Sequence, residues 1–235
     1  MKICTKSEKS QGVCILNEKL KYDKKIILII KITAVLILIQ LARAAVNKIL
    51  TIFLGQAITL TGIIFIFIGI ILYFIFKPNA KSLAFNIGDK SRKSKILYIL
   101  STIMVLALII TAPMFGSDYS LSIILPLIEP AVLIPIFEEL IFRGYIWDRL
   151  KNSGLNEKQV FLLVTILFSL WHLGYYDIIY TRVANNFQNV NMFTTMFFKV
   201  LTGAAFGLLT GIVRWKTKST CSSILVHSFF NIFGR

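Results

Sequence analysis

The chain has 235 residues, of which 56% are hydrophobic, and its mean hydropathy is +0.76. Soluble domains are about 45–50% apolar, so this composition excludes a water-soluble globular protein and indicates a helical membrane protein. The formal net charge is +15, but the Lys and Arg residues alternate with long apolar runs, which argues against a nucleic-acid partner and favours the lipid bilayer.

Seven apolar runs are long enough to be considered as membrane spans. A spanning helix needs about 20 residues, and we therefore predict an all-α, polytopic transmembrane helical bundle of about seven spans, with six to eight possible. The second run has no charged residue and is the most secure span, unless part of it is re-entrant. The fifth and seventh are short and are expected to be shielded by other helices. The runs are residues 26–46, 51–76, 96–112, 121–142, 157–173, 195–213 and 219–233.

Basic residues predict the orientation of the bundle. If all seven runs span the membrane, four basic segments share one side and hold 20 of the 26 Lys and Arg residues, whereas the opposite loops hold only Lys48 and Arg182. Positive charge is retained in the cytoplasm, so we expect a multi-pass protein of the cell membrane with a cytoplasmic N-terminus. The basic segments are residues 1–25, 77–95, 143–158 and 214–218, and the opposite loops are about 47–50, 113–120 and 174–194.

The chain divides into three predicted parts. Residues 1–25 form a basic cytoplasmic tail, and residues 26–120 contain N-terminal transmembrane helices with a basic cytoplasmic loop. Residues 121–235 form a helical core that holds the candidate catalytic residues. The sequence does not set the oligomeric state.

Polar side chains inside apolar runs mark this core, because an unpaired polar group is costly in an apolar environment. Two glutamates and an arginine fall in the stretch FEELIFR, and both histidines of the chain fall in apolar runs. Such groups should find one another, and we expect them to share one cavity. The set is Glu138, Glu139, Arg143, His172, His227 and Asn231.

Helical spacing predicts different roles for the two glutamates. Glu139 and Arg143 are four residues apart and lie on one helix face within reach of an ion pair, so Glu139 is expected to be structural. Glu138 is rotated by about 100° and is left free to act on a ligand, a metal or water. On the last run His227 and Asn231 are also four residues apart, so they should present an imidazole and a carboxamide to the same point.

This set of groups suits hydrolysis. A carboxylate can take a proton from water, a histidine can position that water or pass the proton on, and an amide with an imidazole can stabilise an oxyanion. The residues Glu138, His172 and His227 could instead hold Zn²⁺. Because the chain has no H-E-x-x-H motif, no cofactor is certain and zinc stays an alternative.

Three motifs occur in order between residues 121 and 233. They are E-E-x-x-x-R in EELIFR, F-x-x-x-H from Phe168 to His172, and H-x-x-x-N from His227 to Asn231. With these motifs the chain resembles the CPBP family of intramembrane proteases, also called the type II CAAX prenyl protease or Abi family. Residues 1–120 carry none of the residues that are diagnostic of that family.

The resemblance implies a glutamate-dependent intramembrane (metallo)endopeptidase. By analogy with the family, Glu138 and His172 would activate water, and His227 and Asn231 would form the oxyanion site. The family does not settle whether a metal takes part. The residues with a supporting role would be Glu139, Arg143 and Phe168.

The substrate class follows from the same resemblance. Bacterial members of the family are linked to peptide maturation, bacteriocin processing and self-immunity, and the Lys-, Ile- and Asn-rich composition of this chain looks bacterial. The expected substrate is therefore a membrane-associated peptide or protein. Two other functions stay open: a non-catalytic immunity or scaffold protein, and a proton-coupled transporter, although the sequence shows no inverted repeat.

Further features of the core are interpreted as structural. Three glycines spaced four residues apart, Gly203, Gly207 and Gly211, predict close helix packing. Prolines before the glutamates predict a kinked or opened helix. Roles for Glu129 and for the polar, aromatic segment 174–194 stay open. The prolines are Pro126, Pro130 and Pro135.

Overall fold

The computed structural model describes residues 8–54, 61–79, 82–85, 91–111, 127–186 and 190–233. All regular secondary structure in these residues is helical. The predicted fold class, an all-α membrane helical bundle, is confirmed by this helical content together with the length and apolar composition of the helices.

The helices follow one another as α1 (Glu8–Leu54), α2 (Thr61–Phe76), α3 (Arg92–Thr111), α4 (residues 127–152), α5 (Glu157–Trp171), α6 (Tyr176–Asn186), α7 (Met192–Thr217) and α8 (Thr220–Phe233). Helix α4 is continuous, although two of its stretches have the wider winding of a π-helix. A 3₁₀ turn, His172–Tyr175, joins α5 to α6.

Within the described residues, four stretches are long and apolar enough to cross a membrane. Helices α2 and α8 are apolar but shorter, with 16 and 14 residues. The chain is therefore an integral membrane protein. The predicted span 121–142 is described only from residue 127 onward, and this part is helical. The four long stretches are Tyr22–Phe53, Arg92–Thr111, Glu157–Thr181 and Met192–Thr217.

The boundary between the first two predicted spans is wrong. The sequence predicts a loop at about residues 47–50 and one span over residues 51–76, whereas α1 continues to Leu54 and α2 begins at Thr61. The stretch VNKILTIFL contains no Gly or Pro, so no strong helix breaker precedes Gly55. Lys48 therefore lies on a helix and not in a loop.

Both ends of α2 have identifiable interactions. At the N-terminus the Gly62 N–H donates to Glu129 Oε1 at 2.6 Å, so a carboxyl oxygen lies at the positive end of the helix dipole. At the C-terminus Lys77 adopts a φ of 42°, which departs from helical geometry. Glu129, whose role the sequence left open, therefore caps α2.

The predicted loop over residues 174–194 is also partly wrong, because Tyr176–Asn186 forms α6. The first turn of α6 carries Asp177, which pairs with Arg43 of α1 at 2.6 Å. The polar composition of this segment predicted a loop, but the structure shows a regular helix with an ion pair to α1. The segment therefore packs against α1 through this pair.

Helix α1 is attached to the 3₁₀ turn by two buried polar residues. Arg43 is fully buried and donates to the Gly174 carbonyl at 2.6 Å as well as to Asp177. Gln40, one turn earlier, donates to the Trp171 carbonyl at 3.1 Å. These contacts fix the position of the segment that follows α5.

Prolines explain the first π-helical stretch of α4, Glu129–Leu133. The N–H of Ile134 donates to the Glu129 carbonyl, although in an α-helix it would donate to that of Pro130. Pro135 has no N–H to offer in its place. The Pro130 carbonyl is therefore left without a donor from the helix backbone. Pro126 lies outside the described residues.

The second π-helical stretch, Leu140–Ile146, follows directly after the two glutamates. The Trp147 N–H donates to the carbonyls of Phe142 and Gly144 and bypasses that of Arg143. Arg214 of α7 donates to the Arg143 carbonyl through Nε at 2.9 Å. Such local widening of a helix is frequent at functional sites.

Helices α5 and α7 pack closely along the glycines of α7. A Cβ added at Gly203 would come within 2.6 Å of the His172 ring, and one added at Gly211 would come within 2.8 Å of the Phe161 ring. Gly207 lies between them and is also in tight contact with α5. The predicted packing role of these glycines is therefore confirmed.

Candidate active site

Helix α4 carries three ionisable residues into the interior of the bundle. The exposed fractions of Glu138, Glu139 and Arg143 are 2%, 0% and 0%. Charged groups at this depth are costly unless they are paired and hydrogen-bonded. Helices α5, α7 and α8 supply partners for these residues, although Glu139 Oε2 and Arg143 Nε have no hydrogen-bond partner among the described residues.

Glu139 lies at the centre of a buried network. Its Oε1 accepts a hydrogen bond from Arg143 Nη1 at 3.2 Å and another from His227 Nδ1 at 2.9 Å. Arg143 also donates through Nη2 to the Gly207 carbonyl at 3.1 Å, and its guanidinium carbon lies 4.1 Å from the centre of the Phe168 ring. This network fixes α4 against α5, α7 and α8.

The carboxylate of Glu138 is anchored through one of its oxygens. Oε1 accepts from Trp171 Nε1 at 2.8 Å and from the Tyr175 hydroxyl at 2.5 Å. Oε2 lies 3.9 Å from His227 Nε2. That distance is too long for a direct hydrogen bond but allows a bridging water. One oxygen of Glu138 therefore orients the group, and the other faces an imidazole.

The contacts of both imidazoles fix their tautomers. A carbonyl or an ionised carboxylate can only accept a hydrogen bond, so Nδ1 is the donor in each ring. His227 donates to Glu139, and His172 donates to the Phe168 carbonyl at 2.8 Å. In the neutral rings each Nε2 therefore keeps a lone pair, and that of His227 faces Glu138.

His172 lies where α5 meets α7. It is 9% exposed, and its ring packs edge-on against Phe168 with 4.9 Å between ring centres. In the part of the chain that the structure describes, no hydrogen bond joins His172 to Glu138 or to His227. The structure thus brings His227 closer than His172 into contact with the glutamates.

Asn231 contacts α4 at a different place. Its Nδ2 donates to the Pro130 carbonyl at 2.8 Å, which is the carbonyl that the π-helical stretch leaves without a backbone donor. His227 and Asn231 therefore bind separate partners on α4. The spacing predicted that the two groups would reach one point, and their hydrogen bonds do not show this convergence.

The zinc alternative requires Glu138, His172 and His227 to form one ligand set. Among the described residues, which include all three, no group of three or more His, Cys, Asp or Glu side chains is placed to hold a metal ion. Nδ1 of His227 is already engaged with Glu139. As arranged here, these residues do not fit a zinc centre.

Sequence reasoning missed the two donors to Glu138. Trp171 and Tyr175 flank His172 in the stretch SLWHLGYY and are four residues apart. Both are buried, with exposed fractions of 4% and 8%. A buried indole N–H or phenol usually finds an acceptor, so two such groups beside a candidate histidine were a usable signal.

Known proteins resemble the part of the chain that carries this site. Residues 120–233 match the family described as type II CAAX prenyl endopeptidase Rce1-like. Among curated proteins, the chain is similar to the UPF0177 protein YxdF of Lactococcus lactis subsp. lactis, with 29% identity over 106 residues. That match covers 44% of each chain, so it spans less than half the length of the relative. No solved structure matches the chain.

Proposed function

We propose that the chain is an intramembrane endopeptidase that uses Glu138 as its general base, because residues 120–233 match the family of Rce1-like type II CAAX prenyl endopeptidases. The family supports protease activity in general, and the roles of individual residues are part of the proposal. The proposed substrate is a membrane-associated peptide or protein, and the proposed location is a bacterial cell membrane with the N-terminus in the cytoplasm.

The attacking water is held between Glu138 and His227 in this mechanism. Glu138 Oε2 and the lone pair of His227 Nε2 are both acceptors across a gap of 3.9 Å, so a water that donates one hydrogen to each would satisfy both. Its oxygen lone pair is then free to attack the carbonyl carbon of the substrate. Glu138 takes one proton from that water as the new C–O bond forms.

The same proton balances the reaction. Glu138 transfers it to the nitrogen of the scissile bond, the C–N bond breaks, and the products are an amine and a carboxylic acid, which then loses its proton to the amine. Glu139 and Arg143 act by holding His227 and α4 in place. Asn231 keeps a second N–H beyond the one it donates to Pro130, and this N–H is assigned to the oxyanion. His172 lines the site with its free Nε2.

One observation carries this proposal. Trp171 and Tyr175 occupy Oε1 of Glu138, and Glu139 occupies Nδ1 of His227. Each group is thereby oriented by one atom and presents its other atom to the same narrow gap. Preorganisation of this kind, with a base oriented by neighbouring residues, is what hydrolytic sites require.

The test is peptidomics of membranes from cells that express the protein with Glu138→Gln. The substituted amide oxygen can still accept from Trp171 and Tyr175, so we expect normal abundance. Loss of the general base should slow cleavage by about 10²–10⁴-fold, and the products made by the unaltered protein should disappear.

The matched control is Glu129→Gln on the same helix. Its amide oxygen can still cap α2 at Gly62, and it lies outside the proposed site, so products should persist. Products that survive Glu138→Gln at equal protein abundance would overturn the assignment of the base. Full complementation of a deletion strain by Glu138→Gln and Asn231→Ala would favour a scaffold function.

A further inference from the structure

A second face of α4 borders a cavity of about 750 Å³ outside the candidate active site. Helices α1 and α2 form most of its other walls, and Pro78 and Leu83 of the segment after α2 complete the lining. The deep part is apolar and is lined by Leu36 and Ile39 of α1, Ile66 of α2, and Phe137 and Ile141 of α4. Surfaces of this composition are compatible with lipid chains, which neither offer nor require hydrogen bonds.

Two charged residues, Lys31 and Arg149, are found among the described residues of the lining, and they lie at the same end of this cavity. Lys25 Nζ donates to the Gly154 carbonyl at 3.2 Å, which sets Lys25 level with the turn that follows α4. Lys31 follows Lys25 by about 9 Å of helix rise, and Arg149 precedes Gly154 by about 8 Å. The two cations are therefore at nearly the same depth.

The length of the cavity matches one leaflet of a bilayer. From Lys31 to Ile39 helix α1 rises about 12 Å, and from Arg149 to Phe137 helix α4 extends about 18 Å. Half of a hydrocarbon core of about 30 Å is about 15 Å. A chain that enters at the cationic end would thus reach near the middle of the membrane.

The charges of the lining have a single sign. Among the described residues, no acidic side chain lines the cavity, and neither Lys31 nor Arg149 forms an ion pair. The Arg149 guanidinium lies 5.1 Å from the centre of the Tyr145 ring, which also lines the cavity. Two cations above an apolar slot complement an anionic headgroup above an acyl chain.

We propose that this cavity binds one anionic phospholipid. Its phosphate lies between Lys31 and Arg149, and one acyl chain lies along the apolar wall that includes Leu36, Ile39 and Ile141. Binding does not depend on the peptidase function, because none of the proposed catalytic residues lines this cavity.

The bound chain would nevertheless contact the support of the active site. Phe137 at the deep end stacks on Phe65 with 4.4 Å between ring centres. Phe65 in turn lies 5.6 Å from the ring of Trp171, which donates to Glu138. An acyl chain in the cavity therefore packs against Phe137. Through Phe65 this contact leads to Trp171, which orients the proposed base.

Native mass spectrometry of the delipidated full-length protein tests the proposal. Phosphatidylglycerol should bind more tightly than phosphatidylcholine with the same acyl chains. Because each cation near a lipid headgroup contributes about fivefold, Lys31→Gln with Arg149→Gln should weaken phosphatidylglycerol binding about 30-fold. Phosphatidylcholine binding should weaken much less, because the choline cation offsets the charge of its phosphate. The matched control, Arg92→Gln with Lys93→Gln, removes two exposed cations that lie outside the cavity and should have no effect.

A second variant tests the placement of the chain. Ile141→Trp fills the slot and leaves both cations, so it should reduce the binding of both lipids. Equal binding of the two lipids by the unaltered protein, or an equal loss in the Arg92 and Lys93 control, would overturn the proposal. Undiminished phosphatidylglycerol binding by Ile141→Trp, or equally tight binding of glycerophosphoglycerol without acyl chains, would also overturn it.

Discussion

The two faces of α4 have different surroundings: one is covered by other helices, and the other borders a cavity. The face with Glu139 and Arg143 is covered by three other helices, and its charged groups are joined to their partners at 2.9–3.2 Å. The face with Phe137 and Ile141 borders an open cavity. In a membrane, lipid chains are as apolar as the side chains they would replace, so an apolar face gains little from being covered by protein. Polar groups, in contrast, must find a protein partner.

The largest expected difference in unfolding free energy between the two faces comes from matched arginine substitutions on α4. Arg143→Met leaves Glu139 buried without its ion pair, and breaking such a pair costs about 3–5 kcal/mol. Arg149→Met on the open face removes an exposed cation and should change stability by about 0.5 kcal/mol or less. Reversible unfolding in mixed micelles measures both free energies. Equal losses would show that the two faces do not differ in this way.

Glycines of the helices on the two sides of α4, Gly203 of α7 and Gly69 of α2, should differ next. Gly203→Ala forces a Cβ to within 2.6 Å of the His172 ring, and overpacking of this kind costs about 1–3 kcal/mol. Gly69→Ala meets only the edge of Phe137 at 3.3 Å, a contact that is relieved by a shift of a few tenths of an ångström. The gain in helix propensity, up to about 1 kcal/mol, offsets that contact. The same unfolding measurement should therefore show a clear loss only for Gly203→Ala.

The smallest expected effect concerns Asn231 and the carbonyl that it binds. Asn231→Ala removes the hydrogen bond to Pro130, which contributes about 0.5–1.5 kcal/mol. In a Pro135→Ala background the new N–H at position 135 can donate to the same carbonyl, so the cost of Asn231→Ala should shrink. A double-mutant cycle of unfolding free energies measures this coupling, and a coupling of zero would contradict it.

The same pair of variants separates two roles of Asn231. Loss of an oxyanion donor typically slows a reaction by about 10²–10³-fold. If Asn231 contacts the oxyanion, Asn231→Ala should slow cleavage to this extent even in the Pro135→Ala background, where the helix no longer depends on it. If the cleavage rate recovers in the Pro135→Ala background, Asn231 stabilises α4 and does not contact the oxyanion.

Local spacing predicted the contacts that lie within one helix. Glu139 and Arg143 are one turn apart, so their pairing follows from helix geometry without knowledge of the rest of the fold. The glycines of α7 were likewise recognisable from their period. The hydrogen bonds from His227 to Glu139 and from Trp171 to Glu138 join different helices. They depend on the relative positions of those helices along their axes, which local spacing does not determine.

Counting Lys and Arg residues predicted loops less reliably where the charged side chain packs against other parts of the protein. Arg143 and Arg214 were counted as loop residues in the prediction of orientation, yet their exposed fractions are 0% and 8%. Lys48 was assigned to a loop and lies on α1. A hydropathy pattern registers that a residue is charged but not which neighbour satisfies it. The cytoplasmic N-terminus and the three-part division of the chain stay predictions.

The short length of α2 affects the lipid bilayer around it. Its 16 residues rise about 24 Å, less than a hydrocarbon core of about 30 Å, and the Glu129 cap and the turn at Lys77 fix both ends. A hydrophobic mismatch of this size is accommodated by local thinning of the bilayer or by oligomerisation. We therefore expect the bilayer to be thinned beside α2, so that headgroups and bulk water lie closer to the interior of the bundle there.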